Sequence, residues 1–187
     1  MRHLDYQRTI IAYHGCDEAL ANRVLQTGET LKVSENDYDW LGSGIYFWEF
    51  GPDRAMAWAE ELHRRFPKRI AKPAVLGAVI QLGSCFDLLD TQHTDLLKLA
   101  HADYLRSAPR PLPVNKDLVH RLDCAVINFA LPRFEKAWRY KFQTVRGVFQ
   151  EGQPVFAGSE IREKSHIQIA VRDPSCILGY FKPRQTN

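Results

Sequence analysis

Three short segments of the sequence carry the side chains best suited to hold a ligand, YHG (13–15), GSGIYF (42–47) and SHIQIAV (165–171). His14 offers an imidazole beside Gly15, whose backbone no side chain obstructs. Tyr46 offers a flat ring after a glycine-rich turn, and Gln168 offers an amide on a strand-like segment. These groups position a ligand rather than attack it. The GxSxG, P-loop and HExxH motifs do not occur in the sequence.

In this order and at these distances, the three segments resemble the ADP-ribosyltransferase superfamily, specifically its poly(ADP-ribose)-polymerase-like branch with a His-Tyr-Glu signature. In that branch a first strand ends in His-Gly, a G-x-G-[IL]-Y-F turn follows, and a late strand carries the third residue. The resemblance covers residues 12–59 and 142–181, and residues 83–141 show none. It implies an α+β fold, a split antiparallel β-sheet with flanking helices, in a single catalytic domain over residues 1–187.

The resemblance implies that NAD+ is the co-substrate and that its nicotinamide–ribose bond is broken. The transition state of that reaction has oxocarbenium character, so positioning and electrostatics supply most of the catalysis. His14 would hydrogen-bond the adenosine ribose, and the backbone of Gly15 would reach the nicotinamide amide. Gly44 would let the chain turn closely around the ligand, and Tyr46 would stack on the cationic nicotinamide ring.

In the family a second aromatic side chain, about one turn into the next helix, closes the other side of the nicotinamide. Trp58 is the nearest candidate, one residue later than the family spacing. The periodicity of its helix equally favours a buried Trp58 on the apolar face, so both interpretations stand.

The third signature position departs from the family. Gln168 lies five residues before Asp173, where the resemblance expects the catalytic glutamate. A glutamine keeps a hydrogen bond to the ribose hydroxyl but loses the charge that favours an oxocarbenium ion. The substitution argues against polymerase activity. It leaves transfer of a single ADP-ribose, or an inactive domain that binds NAD+.

A carboxylate from the preceding loop is the reserve candidate. The segment FQEGQPVFAGSEIREKS lies where the family keeps its acceptor-recognition loop. Glu151, beside Gly152, is the best placed glutamate in it for a catalytic acid or an acceptor contact. A solvated loop glutamate is the simpler interpretation.

The macromolecular acceptor of the ADP-ribose is RNA or DNA, or a protein side chain. Two segments mix bases with aromatic residues, HRRFPKRIAK (63–72) and PRFEKAWRYKF (132–142). This composition suits nucleic acid, but amphipathic helices with solvated charges share it. A compact catalytic domain is typical of bacterial toxins, antiphage defence enzymes and effectors, for which a neutralising antitoxin or immunity protein is an expected partner.

Two alternative functions remain open. One is an NAD+-dependent RNA 2′-phosphotransferase, which needs an arginine- and histidine-rich site that these motifs do not show. The other is a non-catalytic module that binds NAD+ or ADP-ribose and acts through a partner.

The composition is that of a globular domain. Of 187 residues, 45% are hydrophobic and 25% charged, and the net charge of +3 permits a nucleic-acid partner without requiring one. The longest apolar stretch, AVLGAVI (74–80), is too short to cross a membrane. Four scattered cysteines, without CxxC or paired-histidine spacing, argue against a disulfide framework or a metal site and for a cytoplasmic protein.

The elements that must position these residues follow from hydrophobic periodicity and chain breakers. We expect strands at 8–13, 44–48 and 74–82, and three more in FQTVRGVF, HIQIAV and CILGYF after residue 141. In HIQIAV, alternation predicts core positions for Ile167, Ile169 and Val171, with His166, Gln168 and Ala170 opposite.

Four helices are expected between these strands. The first runs from Asp17 to Thr27 and is closed by Gly28. The second starts at Pro52 with an apolar face of Ala55, Trp58, Ala59, Leu62 and Phe66. The third covers 94–106, and the fourth covers 117–141 with a kink or break at Pro132.

Overall fold

The structure is a computed structural model that describes residues 6–116 and 119–184. Its strands are β1 Tyr6–Asp17, β2 Ile45–Glu49, β3 Pro73–Gly83, β4 Cys85–Asp87, β5 Asn115–Lys116, β6 Val119–His120, β7 Thr144–Phe149, β8 His166–Val171 and β9 Ile177–Phe181. Its α-helices are α1 Glu18–Thr27, α2 Pro52–Arg65, α3 Thr91–Ser107 and α4 Arg121–Trp138. The predicted α+β class is confirmed.

Seven strands form one sheet in the order β4-β7-β8-β2-β1-β3-β9. β4 and β7 run parallel, so the prediction of a wholly antiparallel sheet is wrong at that edge. β1 pairs with β3 over almost its whole length but with β2 only at Ala12–Glu49 and Tyr13–Trp48. The sheet is therefore continuous where we expected a split, although it is nearly divided between β2 and β1.

Two hydrophobic cores cover the two faces of this sheet. Cross-strand partners share a face, so Phe47 and Ile169 lie on what we call the first face, and Trp48 and Gln168 on the second. The core of the first face packs against α1 and includes Ile10, Ala12, Val24, Phe47, Leu76, Ile80, Ile169 and Val171. The core of the second face packs against α4 and includes Leu41, Phe86, Ile127, Leu131, Phe142, Val145 and Ala170.

The predicted alternation in β8 is confirmed by its pairing with β2. Ile169 faces Phe47, whereas Gln168 faces Trp48 and Ala170 faces Tyr46. The side of β8 that we expected to lie outside the core is covered too, because Ala170 is fully buried in the second core. β8 is thus a central strand, packed on both faces at its carboxyl end.

The first two helices begin and end largely as predicted. Asp17 caps α1, and Gly28 ends it in the left-handed conformation with φ 71°. In α2, Ala55 and Ala59 are buried, but Trp58 and Phe66 are 40% and 54% exposed, so the expected apolar face is wrong at these two positions. The two alanines let α2 lie close to β1, which pushes the larger side chains to the rim.

The third and fourth helices differ from prediction at their ends. α3 is longer than expected at both ends. α4 begins at Arg121 and runs through Pro132 without dividing: Ile127 and Leu131 before the proline are buried, and Phe134 and Trp138 after it pack against the second core. Part of its predicted start, residues 117 and 118, lies outside the described residues. The short strands β4, β5 and β6 were not predicted, since two or three residues carry no periodicity.

None of the helices in the described part of the chain is both long and apolar enough to cross a membrane. The four cysteines are buried free thiols. Burial raises the pKa of Cys16 to about 11 and that of Cys85 to about 12, so neither thiol is a ready nucleophile at neutral pH.

Candidate active site

His14 lies where β1 and β2 stop pairing. Its Nδ1 is 2.8 Å from the backbone carbonyl oxygen of Tyr46, and since a carbonyl can only accept, Nδ1 carries the proton. This side-chain bond continues the contact between the strands beyond their last ladder pair. Burial lowers the pKa of His14, and the bond to the carbonyl offsets part of that effect. The imidazole is therefore neutral at pH 7, with Nε2 able to accept a hydrogen bond.

Gly15 presents its backbone to the gap that opens beyond His14. The amide of Phe50 donates to the carbonyl of Ile11, so the peptide groups of Ile11 face β2. Peptide groups alternate in direction along a strand, so those of Tyr13 and Gly15 face β2 as well. A Cβ at position 15 would overlap the carbonyl oxygen of Ala55 on α2. Only glycine lets α2 lie this close.

The two glycines before Tyr46 serve the turn and the packing. Gly42 has φ 76°, which favours glycine. Gly44 has ordinary backbone angles, but its amide and carbonyl both bond to Ser34, and a Cβ there would press on Ala170. The backbone amide and carbonyl of Gly44 are thus bonded within the protein, and its close approach to a ligand stays a prediction.

Tyr46 is held firmly at its hydroxyl end. The hydroxyl donates to the carbonyl of Gly42 at 2.6 Å and accepts from the amide of Leu41 at 2.8 Å. Burial raises the pKa of Tyr46, so the phenol stays neutral. The ring packs against the second core and fixes the turn that precedes its own strand. A ring held in this way is a rigid wall for a flat ligand.

Gln168 lies on the same face of the sheet, opposite Trp48. Its amide nitrogen is 3.1 Å from Nε2 of His166. Glu151 approaches the same ring nitrogen, with Oε1 3.6 Å from Nε2 of His166, and its Oε2 lies 3.4 Å from Nη2 of Arg54 on α2. These four side chains, Arg54, Glu151, His166 and Gln168, form what we call the Gln168 cluster.

Aromatic rings surround the Gln168 cluster. The centroid of Trp48 is 6.4 Å from that of His166 and 6.1 Å from that of Trp58. Trp48 is 5% exposed, yet its indole Nε1 has no hydrogen-bond partner among the described residues, and the same holds for Nε of Arg54. Buried donors of this kind cost about 1–3 kcal/mol each unless a ligand satisfies them.

The structure brings some of the predicted site residues together and separates others. His14 touches the backbone of Tyr46, but its ring lies on the first face beside Phe47, with centroids 5.6 Å apart. Tyr46, Gln168 and Trp58 belong to the second face and its rim. Glu151, which a solvated loop would leave exposed, instead joins the Gln168 cluster with only 14% of its side chain exposed.

Sequence reasoning missed three residues of this site: His166, Arg54 and Trp48. His166 could have been found, because it lies two positions before Gln168 on a strand and so on the same face. Trp48 shares a face with Tyr46 for the same reason. Nothing in the sequence links Arg54 to Glu151, which is 97 positions away.

The two basic and aromatic segments differ in what they expose. In 132–142, the rings of Phe134, Trp138, Tyr140 and Phe142 pack against the second core, so they are not surface platforms for bases. In 63–72, Arg64, Lys68 and Arg69 are exposed at the end of α2 and in the loop after it. Arg133, Lys136, Arg139 and Lys141 in 132–142 are exposed as well, so both segments remain candidate surfaces for polyanions.

Two other features contain no predicted site residue. A cavity of about 290 Å³ lies beside α4 and is lined in part by Asn36, Cys124 and Asn128. Asn128, on the wall of this cavity, supports the turn before β2, because its Oδ1 accepts a hydrogen bond from the amide of Ser43. Among the described residues, no group of three or more histidine, cysteine or acidic side chains is arranged to hold a metal ion.

Comparison with known proteins gives a full-length similarity without a function. No protein-family model matches the chain. The uncharacterized protein MJ0359 of Methanocaldococcus jannaschii is 25% identical over 181 residues, which cover 88% of this chain and 83% of that protein. The similarity assigns no activity to either protein.

Proposed function

We propose that the chain is an NAD+-dependent mono-ADP-ribosyltransferase that cleaves the nicotinamide–ribose bond and transfers ADP-ribose to a macromolecule. The observation that carries the proposal is the gap between β1 and β2. There the ladder stops after two pairs, His14 bonds the carbonyl of Tyr46, and the peptide groups of Gly15 face the gap. A planar amide such as that of nicotinamide has the donor and acceptor that a strand edge requires.

The roles of the residues follow from what each presents. Gly15 offers a backbone donor and acceptor to the nicotinamide amide, and Tyr46 offers a rigid ring beside it. His14, neutral and with Nε2 free to accept, binds a hydroxyl of the adenosine ribose. Trp58, 40% exposed at the rim of the second face, closes the outer side. No metal ion takes part in these roles.

Gln168 binds a hydroxyl of the nicotinamide ribose and orients the sugar for loss of nicotinamide. It carries no charge, so it stabilises the oxocarbenium ion less than a carboxylate would. We therefore propose a slow transferase that adds one ADP-ribose. Glu151, whose Oε1 lies 3.6 Å from Nε2 of His166, supplies negative charge beside Gln168.

The acceptor that we favour is RNA or DNA, because the bases at the end of α2 are exposed beside the same helix that carries Arg54 and Trp58. Protein side chains are the competing class. Activity of this kind fits a toxin, defence or effector enzyme in the cytoplasm, with an antitoxin or immunity protein as its neutralising partner.

The test is to incubate the protein with labelled NAD+ and fractionated lysate, and to measure nicotinamide release and label on RNA, DNA and protein. We expect release of nicotinamide and label on one acceptor class. Tyr46→Ala should weaken NAD+ binding measured by calorimetry, and Gln168→Ala should chiefly lower turnover. The proposal would be refuted if the wild-type protein showed no NAD+ binding and no release of nicotinamide.

A matched control separates a role in binding from a role in packing. Tyr104 on α3 is also a packed tyrosine, with its ring 5.2 Å from that of Phe129 and far along the chain from the proposed site. Tyr104→Ala should lower stability but leave NAD+ affinity unchanged once the protein is folded. Equal losses of affinity in both variants would show that Tyr46 is only structural.

A second candidate, the RNA 2′-phosphotransferase, gains support from the Gln168 cluster. That reaction needs arginine and histidine side chains around a phosphate, and Arg54 and His166 now lie beside Gln168. Arg54 is paired with Glu151, which makes it a weaker phosphate ligand. Incubation with NAD+ and 2′-phosphorylated RNA decides: loss of the phosphate would select this function, whereas binding of NAD+ without any product would select a binding module.

A further inference from the structure

The hydrogen bonds of His166 fix which of its ring nitrogens carries the proton. Nδ1 is 2.6 Å from the carbonyl oxygen of Lys164, which can only accept, so Nδ1 carries hydrogen. In the neutral imidazole Nε2 then has a lone pair and must accept. Its partner at 3.1 Å is therefore the NH2 group of Gln168. The carbonyl oxygen of Gln168 is left on the other side of the amide.

From this geometry, and resting on the proposed function, we propose that His166 is a positioning residue. By accepting from the NH2 group of Gln168, it holds the amide with its carbonyl oxygen toward the ribose of the nicotinamide half of NAD+. The amide oxygen accepts from a ribose hydroxyl, and the negative end of the amide dipole points at the carbon where positive charge develops. A glutamine held in this way replaces part of what the carboxylate would supply.

Protonation of His166 reverses the arrangement. The imidazolium has hydrogen on both nitrogens, so Nε2 can no longer accept from Gln168. The amide then turns its oxygen to Nε2 and its NH2 group to the ribose. The positive end of the dipole would face the oxocarbenium ion, and turnover would fall.

The groups around His166 determine when this occurs. Glu151 faces it from the loop after β7 and Arg54 from α2, and the uncharged rings of Trp48, Trp40 and Phe149 enclose it. Burial among these rings lowers the pKa of His166, and the hydrogen bond to the carbonyl of Lys164 and the negative charge of Glu151 partly offset that effect. The imidazole is therefore neutral at pH 7, and the oxygen of Gln168 faces the ribose.

Two substitutions at position 166 separate positioning from packing. His166→Gln keeps an oxygen acceptor close to where Nε2 lies and cannot titrate in this range. We expect it to keep most of the turnover of the wild-type protein. His166→Leu fills the space without an acceptor, and we expect turnover to fall about 10–100-fold. Equal turnover in the two variants would overturn the proposal.

The pH profile is the readout that a merely structural histidine would not change. Below the pKa of His166, wild-type turnover should fall with the pH and level off at about the 10–100-fold loss expected of His166→Leu. His166→Gln should lack this acid limb. His93→Leu is the control, because Nδ1 of His93 also lies 3.1 Å from a backbone carbonyl oxygen, that of Asp87, but on α3. It should keep the wild-type profile.

The variant Gln168→Glu should remove the loss of turnover at low pH. A carboxylate at position 168 accepts from the protonated imidazole, which raises the pKa of His166 and removes the need for a neutral ring. Turnover of this variant should not fall as the pH is lowered through the range in which the wild-type protein loses activity. An unchanged acid limb in this variant would contradict the proposed role.

Nuclear magnetic resonance tests the arrangement without any turnover. With 15N-labelled protein, we expect the Nδ1–H tautomer of His166 at pH 7, and a shift of the side-chain amide of Gln168 that follows the titration of His166. A Gln168 amide indifferent to that titration overturns this inference, whatever the enzyme does. If the wild-type protein neither binds nor cleaves NAD+, the proposed function is refuted instead. The resonance result then still shows whether Nε2 of His166 accepts from the NH2 group of Gln168.

Discussion

Two clusters of charged side chains lie on opposite faces of the same sheet and differ in how completely they are paired. On the first face, the guanidinium of Arg146 lies between the carboxylates of Glu49 and Asp87. On the second face is the Gln168 cluster. Both are largely buried and both join distant parts of the chain, so burial alone does not separate them.

The cluster around Arg146 is closed. Its Nε donates to Glu49 at 2.6 Å and its Nη1 to Asp87 at 3.0 Å, while Nη2 reaches the second oxygen of Glu49 at 3.3 Å. Arg8 adds a contact to Glu49 from the surface at 3.5 Å. Three side chains from β2, β4 and β7 thus satisfy one another, and no ligand is needed.

The Gln168 cluster is open by comparison. Its ionic contacts are longer, at 3.4 and 3.6 Å, and the Nε of Arg54 has no partner among the described residues. Its histidine accepts from an uncharged amide. The two faces of the sheet therefore differ in kind. Charged side chains on the first face pair fully with one another, whereas polar groups on the second face can still form hydrogen bonds to a ligand.

The largest effect should come from opening the closed cluster. Arg146→Ala leaves Asp87 buried without its guanidinium partner and Glu49 with only the exposed Arg8 beside it. We expect the free energy of unfolding to fall by about 3–5 kcal/mol, measured by urea denaturation at pH 7.

The control for this change is Arg8, which belongs to the same cluster but has 53% of its side chain exposed. Arg8→Ala should cost about 0–1 kcal/mol. If Arg146→Ala costs no more than Arg8→Ala, the distinction between a closed and an open cluster is wrong.

A second, smaller effect should appear where β1 and α2 meet. Gly15→Ala forces a methyl group against the carbonyl of Ala55, so α2 must move away from the strand. We expect a loss of about 1–3 kcal/mol in unfolding free energy. NAD+ affinity should fall further than this loss explains, because α2 also carries Arg54 and Trp58. Gly179→Ala on β9 is the control, since nothing lies within 4 Å of a Cβ there. If Gly15→Ala folds and binds NAD+ with normal affinity, the backbone of Gly15 does not take part in ligand binding.

Much of the fold could be predicted because its signals are local. Gly28 and Pro52 mark helix ends by their backbone angles, and β8 alternates over six residues. The exposure of Trp58 could not be predicted in this way. It depends on how closely Ala55 approaches Gly15, which is a contact between segments 40 positions apart and not a property of the helix.

The residues of the candidate site and of the closed cluster fall into the same two groups, those marked by local signals and those set by contacts between distant segments. Gly15, Tyr46 and Gln168 stand out because each lies in a short motif with its own turn or strand. The closed cluster could not be predicted, because Arg146 finds Glu49 and Asp87 at 97 and 59 positions along the chain. The position of Glu151 could not be predicted either, because its loop gives no periodic signal.

A third effect tests whether complete pairing matters without burial. Asp17, only partly buried, accepts from the amides of Ala19, Ala71 and Lys72. Asp17→Ala should cost about 1–2 kcal/mol at pH 7. The measurement is the free energy of unfolding of the wild-type and Asp17→Ala proteins.

The pH dependence of that difference has a definite sign. Hydrogen bonds from Lys72 and Ala19 lower the pKa of Asp17 in the folded protein. Its contribution is therefore fully present above about pH 4, the unfolded value, and is lost as the pH falls through the lower, folded value. Urea denaturation at pH 7 and pH 3 should show the two proteins converging in acid. A constant difference would place the effect in the helix alone.

The smallest effects should come from the open cluster, and they should appear in titration more than in stability. Arg54→Ala and Glu151→Gln each remove one end of a long, partly exposed ion pair, so each should change the unfolding free energy by less than about 1 kcal/mol. Their effects on His166 should be opposite. Arg54 lowers the pKa of His166 and Glu151 raises it, so Arg54→Ala should move that pKa up and Glu151→Gln should move it down.

The opposite signs make this the sharpest test of the comparison. In a closed cluster, loss of either partner leaves a buried charge and lowers stability in both variants. In an open one, each variant mainly changes the field at His166, which NMR titration of its ring measures. Shifts of the same sign, or losses of stability as large as that of Arg146→Ala, would mean that the second face is locked as tightly as the first. Opposite shifts with little loss of stability require a cluster whose charges act on His166 more than on each other.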